Sequence, residues 1–156
     1  MTTIADYAGR TVDLFAFDDV KPYGETPLVM TLASQGNSGK ICAGPQKLAQ
    51  KFLIRLFQKR GSCPFDMQDG SYFMTEAEGG YLQTEGDVET AFAAAVSDIA
   101  ILFQKEETDT DPADECFESA ELLSTTLQHG RLIIVIRLIS KAGSDQRILL
   151  PIPVTV

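Results

Sequence analysis

The stretch RLIIVIRLIS (131–140) constrains the fold more than any other part of this chain. It is a run of aliphatic side chains interrupted only by Arg131, Arg137 and Ser140. In a strand, residues two apart share a face. Both faces of this one are apolar apart from the arginines, which predicts a central, covered strand. AELLSTTLQ (120–128) precedes it and QRILLPIPVTV (146–156) follows it, across the short turn signals HG and KAGSD. Such spacing predicts successive β-hairpins.

The last strand carries Pro151 and Pro153. Residues two apart turn their N–H groups to the same side, so both missing donors fall on one edge. That edge pairs poorly. The strand is therefore expected to be outermost, or to run past the sheet as a tail.

Helical signals come earlier. In PQKLAQKFLIRLFQKR (45–60), Leu48, Phe52 and Leu56 recur four apart, and Leu53 and Phe57 widen the apolar face. Pro45 suits a first helical turn, and Gly61 is the expected stop. A second helix is expected from Thr84 to about Lys105. Thr84 and Asp87 resemble a capping box, and Val88, Phe92, Ala95, Ile99 and Leu102 form one seam. Asp111–Pro112 reads as the start of a short third helix. Helices of this kind with hairpins make an α+β domain, the helices covering or flanking a small antiparallel sheet. We place that domain at 41–156. Residues 1–40, with the β-prone runs TVDLFAF and PLVMTLA and the polar linker SQGNSGK, read as an N-terminal arm or small strand unit.

Charge narrows the partners. The net charge of −9 repels nucleic acid, so no nucleic-acid partner is expected. No apolar run approaches the roughly 20 residues that span a bilayer, so no membrane partner is expected either. MTTIADYAGR lacks the basic start and apolar run of a signal peptide, and three widely spaced cysteines read as reduced thiols made in a cytoplasm.

Chemical motifs are sparse. His129, the single histidine, falls in a hairpin turn, and Cys42, Cys63 and Cys116 lack the paired spacing of a zinc site. No metal or cofactor is expected, and no catalytic residue. Cys63, before Pro64, reads as a tolerated thiol. Glu76, Glu78, Glu85, Glu106 and Glu107 read as solvated rather than as a hydrolytic pair.

Two charge features stand out. Lys47, Lys51, Arg55 and Lys59 fall four apart, one stripe on one helix. Glu106, Glu107, Asp109, Asp111, Asp114, Glu115 and Glu118 form an acidic cluster. Each reads as a solvated face or as a partner contact. The two sets could also pair with each other, or alternate between neighbouring subunits.

KRGSCPFDMQDGSYFM (59–74) lies between the first two helices. Gly61 and Gly70 open backbone conformations closed to other residues, Pro64 stiffens the chain, and Asp69 before Gly70 favours a tight turn. Phe65, Tyr72 and Phe73 are expected to anchor this loop to the helices. With Arg60-Gly61-Ser62, Pro64 and Asp69-Gly70-Ser71 in their places, the stretch resembles the loop of the sheath-initiator, or baseplate-wedge, family of contractile phage tails, which has relatives in type VI secretion systems. DVETAFAAAVSDI and ESAELLSTTL–turn–RLIIVIRLIS are similar to the family's second helix and hairpin. The resemblance covers about residues 41–140. The family's Glu-Pro-Arg motif before the hairpin has no counterpart in DECFESAEL (114–122).

The resemblance implies a structural virion protein, present in about six copies around the tail tube. It would touch wedge proteins, tube or hub proteins, and the first sheath ring. Strand addition to an open sheet edge is the expected mode of contact, with Ile148, Leu150, Ile152 and Val154 as contact residues. Two alternatives are a cytosolic adaptor or chaperone for tail proteins, and a small hydrolase using carboxylates. A non-contractile tail is a variant of the main expectation.

Overall fold

The computed structural model describes residues 13–14 and 41–154. Its elements in chain order are β1 (Asp13–Leu14), β2 (Ile41–Cys42), α1 (Pro45–Phe57), α2 (Phe73–Glu78), α3 (Glu85–Glu106), β3 (Phe117–Gln128), β4 (Arg131–Ser140) and β5 (Asp145–Pro153). The fold is α+β. β3, β4 and β5 form an antiparallel sheet in that order, and β1 pairs with β2. Of the expected N-terminal strand unit, only Asp13–Leu14 is among the described residues. PLVMTLA, the SQGNSGK linker and the boundary at residue 40 lie outside them.

The sheet follows its turn chemistry. His129 and Gly130 both have positive φ, 49° and 75°. That pair makes the two-residue turn whose twist matches a hairpin. β4 is central, as its composition predicts, and β5 is outermost.

The core lies on one face of the sheet. Leu132, Ile134, Ile136 and Leu138 of β4 join Ile148, Leu150, Ile152 and the adjoining Val154 in a single cluster with the helices. Leu48, Phe52, Leu53 and Leu56 enter it from α1, and Val88, Phe92, Ala95 and Ile99 from α3. The Phe117 ring stacks on both Phe52 and Phe103, with centroids 5.9 and 5.2 Å away. One aromatic column thus ties both long helices to the start of β3.

Three expectations need correction. The helices pack on one face of β4 only; on the other, Ile133 is 38% exposed while Val135 stays buried at 4%. α1 stops at Phe57 rather than at Arg60 before Gly61, because Gln58 turns extended and its carbonyl accepts the Ser71 N–H at 2.9 Å. The short helix is α2, not a helix at Asp111–Pro112. There the Asp111 carboxylate accepts the Thr108 N–H at 2.8 Å, closing a turn backwards instead of capping a helix forwards. The capping box at α3 is present in full, with the Thr84 side chain accepting the Asp87 N–H and the Asp87 carboxylate accepting the Thr84 N–H.

Candidate interaction loop and charged seam

The loop between α1 and α2 is fixed at its base. Ser71 donates its N–H to Gln58 and accepts the Arg60 N–H at 3.0 Å, a single parallel bridge. The Ser71 hydroxyl, fully buried, donates to the Leu56 carbonyl at 3.0 Å. Asp69 accepts from Gln58 Nε2 at 3.1 Å and from its own neighbour, the Gly70 N–H, at 3.0 Å. Arg55 Nε adds an ion pair to Asp69 at 3.5 Å. Arg60 reaches Asp98 on α3 at 3.0 Å and lies over the Tyr72 ring, 5.6 Å from its centroid. These bonds tie the loop to α1 and α3 at once.

Glycine is required at one position above all. Gly70 has φ 94°, and a Cβ there would sit 2.4 Å from the Gln58 carbonyl oxygen. Backbone cannot give way as a flexible side chain would. Gly61 also has positive φ, 83°, but meets only the Met67 methyl at 3.8 Å. Pro64 lies exposed in the outer part of the loop. The four residues read from sequence as shaping the loop therefore differ: Asp69 and Gly70 lock the base, while Gly61 and Pro64 shape the part that projects.

The tip departs from expectation. Phe73 is buried and anchors the loop, and its ring meets Phe92 edge-on at 6.2 Å. Phe65 does not anchor anything: it is 97% exposed, and Met67 beside it is 59% exposed. The Asp66 carboxylate accepts the Gln68 N–H at 2.9 Å, and the Asp66 carbonyl accepts the Asp69 N–H at 3.2 Å. A turn thus sets the backbone that displays both side chains. A bare Phe on a braced loop is a feature of binding surfaces rather than of cores.

The basic stripe on α1 is not a free surface. Lys47 and Arg55 are 7% and 8% exposed. Lys47 Nζ pairs with Glu115 at 2.7 Å, and Arg55 pairs with Glu106. The Arg55 guanidinium also lies 4.5 Å from the Phe103 ring centroid. Of the readings open in the sequence, mutual pairing of the stripe and the acidic cluster within one chain holds for these two residues. They clamp α1 to the end of α3 and to the connection that follows it, so their assignment as partner contacts is corrected. Lys59 is exposed and pairs with Glu78. Lys51 lines a cleft of about 280 Å³ with Lys47, Phe103, Glu107, Thr108 and Asp111. Hydrogen bonds from Thr108 hold the Asp111 carboxyl below the usual carboxylate range, with smaller help from Lys51. Opposite charges are interleaved along this cleft, with Glu106 and Glu115 also on its wall.

The four β5 side chains share one face, as expected, but that face is the core. Ile148, Leu150, Ile152 and Val154 are all buried against the helices. Their assignment as contact residues is corrected, for the simple reason that this chain already covers them. The edge of β5 is also informative. Val154 donates its N–H to Gly130 at 3.0 Å, on the β4 side, and Leu132 pairs with Ile152. Alternation then turns the nitrogens of Pro151 and Pro153 to the open edge. Their half of the edge offers an added strand no donors. β3, the other outer strand, carries a register shift between Leu122 and Ser124. A bulge of this kind also discourages strand addition.

Two of the three thiols lie in surroundings that disfavour the thiolate. Cys42 is buried, and burial first, then the nearby Asp13 charge, pushes its pKa up to about 11. Burial also raises Cys116. A protonated thiol is a poor nucleophile. Among the described residues, no group of three His, Cys, Asp or Glu side chains is placed to hold a metal ion. No helix among them is long and apolar enough to cross a membrane.

Sequence reasoning missed the exposed tip. The only signal was an aromatic residue between Pro64 and Asp66, outside any helical or strand period. Comparison with protein-family models, with curated proteins and with solved structures finds no match.

Proposed function

We propose that this chain is a structural subunit of a phage tail baseplate, acting as the point from which a contractile sheath begins to assemble. Its neighbours would be wedge proteins, tube or hub proteins and the first sheath ring, in a symmetric arrangement of about six copies in the virion. The sequence resemblance of the 59–74 loop and of the helix–helix–hairpin order suggests the family. The observation that carries the reading is the braced loop that displays Phe65. A loop already held in one shape loses little freedom on binding, so an aromatic tip can contribute most of its burial to affinity. Contact through this tip also suits the sheet edges, both of which carry features that oppose strand addition.

The test is mass spectrometry of finished particles from the natural source, and of what co-purifies with the tagged chain. Presence in particles beside sheath, tube and wedge proteins is expected. Absence from particles would discard the reading. Phe65→Ser gives the local test: it should leave the melting temperature unchanged, because the side chain is bare, yet remove the chain from assembled particles. Normal incorporation of that variant would take the loop out of the mechanism.

A further inference from the structure

The outward face of α3 is short of charge. The buried seam of this helix runs through Val88, Ala91, Ala95, Ile99 and Leu102. At about 100° of turn per residue, the opposite side passes through Thr90, Ala93, Ala94, Ser97 and Ile101. All five are exposed, and Ile101 is 52% exposed. A solvated helix face normally carries charged side chains. From Thr90 to Gln104 this helix carries one charge, Asp98, and Arg60 of the same chain pairs with it at 3.0 Å. The hydroxyls on the face are turned back onto the helix. Thr90 Oγ1 donates to the Gly86 carbonyl at 2.9 Å, and Ser97 Oγ donates to the Ala93 carbonyl at 3.0 Å. The face therefore offers water little to hold.

Charge returns at the two ends. Glu89 and Lys105 are exposed and make no ion pair among the described residues. They close a row of residues four apart: Glu89, Ala93, Ser97, Ile101 and Lys105. Ser97 is the midpoint, with about 12 Å of helix between it and either charge. The row is therefore complementary to itself. Lay a second α3 across the first, antiparallel, with Ser97 on Ser97. Ala93 of each helix then meets Ile101 of the other, and Glu89 of each meets Lys105 of the other. Small side chains at the crossing let the axes approach, and a crossing angle near 20° keeps the ends within side-chain reach. The antiparallel order also sets each positive helix N-terminus beside a negative C-terminus. Small residues alone would not say what covers this face. The exposed isoleucine and the order of the two charges do: they fit this same helix reversed.

We propose that the outward face of α3 binds α3 of a second copy of this chain, antiparallel, about a two-fold axis at Ser97. The same patch serves both copies, so the contact closes at two. It uses neither the 59–74 loop nor the sheet. It concerns the free chain and does not rest on the baseplate reading, so either can fail alone.

The experiment is sedimentation of the full-length chain over a concentration series at low and high salt. Wild type should pass from monomer to dimer, more weakly in high salt. Glu89→Lys sets a lysine against Lys105 of the other copy, and Lys105→Glu sets a glutamate against its Glu89. Each should weaken the dimer by about tenfold or more. Mixing the two variants should restore association, because every facing pair in the mixed dimer is again opposite in charge. Ser97→Arg tests the close approach separately. It puts a long side chain at the crossing, on an exposed position, and should abolish the dimer while circular dichroism stays that of wild type. A wild type that stays monomeric, including one that binds a different protein through α3, overturns the proposal. So does a dimer that tolerates Ser97→Arg, or a mixture that associates no better than its two components.

Discussion

Gly70 shows how one residue fixes a surface several residues away. Its positive φ would cost a side chain about 1–2 kcal/mol by itself. The 2.4 Å approach of a Cβ to the Gln58 carbonyl adds a clash with the same group that receives the Ser71 N–H. Gly70→Ala is therefore expected to cost roughly 2–4 kcal/mol, about 5–15 °C in Tm. Gly143 provides the comparison. It has φ 79° but open space around a Cβ, so Gly143→Ala should show the φ cost alone. Thermal melts of the two variants separate strain from clash: equal losses would mean that the Gln58–Ser71 bridge is not rigid. The need for a glycine here was legible from the Asp–Gly turn signal. Its collision partner was not, because Gln58 is twelve residues away and meets Gly70 only after the loop has closed.

Among the elements, α3 was the most legible. A capping box and a long seam are local signals, and local signals survive folding. α1 was legible in its apolar face, while its basic one left several readings open, of which pairing with the acidic cluster holds for Lys47 and Arg55. Lys47 and Arg55 look like solvent-facing residues by period, but their partners Glu115 and Glu106 come from over fifty residues downstream. α2 and the false helix at Asp111 fail for a shared reason. Short segments carry too few repeats for periodicity to decide, and side-chain hydrogen bonds to backbone then choose the turn. The capping box yields a pH prediction. Hydrogen bonds from Thr84 hold the Asp87 carboxyl below the usual range. A depressed folded value means its stabilisation is present above the unfolded carboxylate pKa and lost as pH falls through the folded one. Asp87→Asn should lower Tm at neutral pH, and the gap from wild type should close at acid pH below that range. Thr84→Ala should cost about 1 kcal/mol, or roughly 2–4 °C. A gap for Asp87→Asn that is constant across pH would show that the cap works by shape and not by charge.

At the scale of the whole molecule, one face of the sheet carries the packing against the helices. The pattern of β4 alone could not say which, since both faces are apolar. β5 resolves it, because alternation puts Leu150 with the helices and Leu149 on the other side. Adjacent leucines should therefore respond oppositely. Leu150 is 1% exposed in the cluster that joins α1, α3 and the sheet. Leu150→Ala is expected to cost about 2–5 kcal/mol, and a charge there should abolish the cooperative transition. Leu149→Ala, on the face turned from the helices and only partly buried, should cost less, about 1 kcal/mol or under. Urea unfolding of both variants measures this directly. If they lose stability equally, both faces of the sheet are covered in the free chain. If they diverge as expected, the packing that holds this fold lies on the helical side of the sheet, where Leu150 is buried and Leu149 is not.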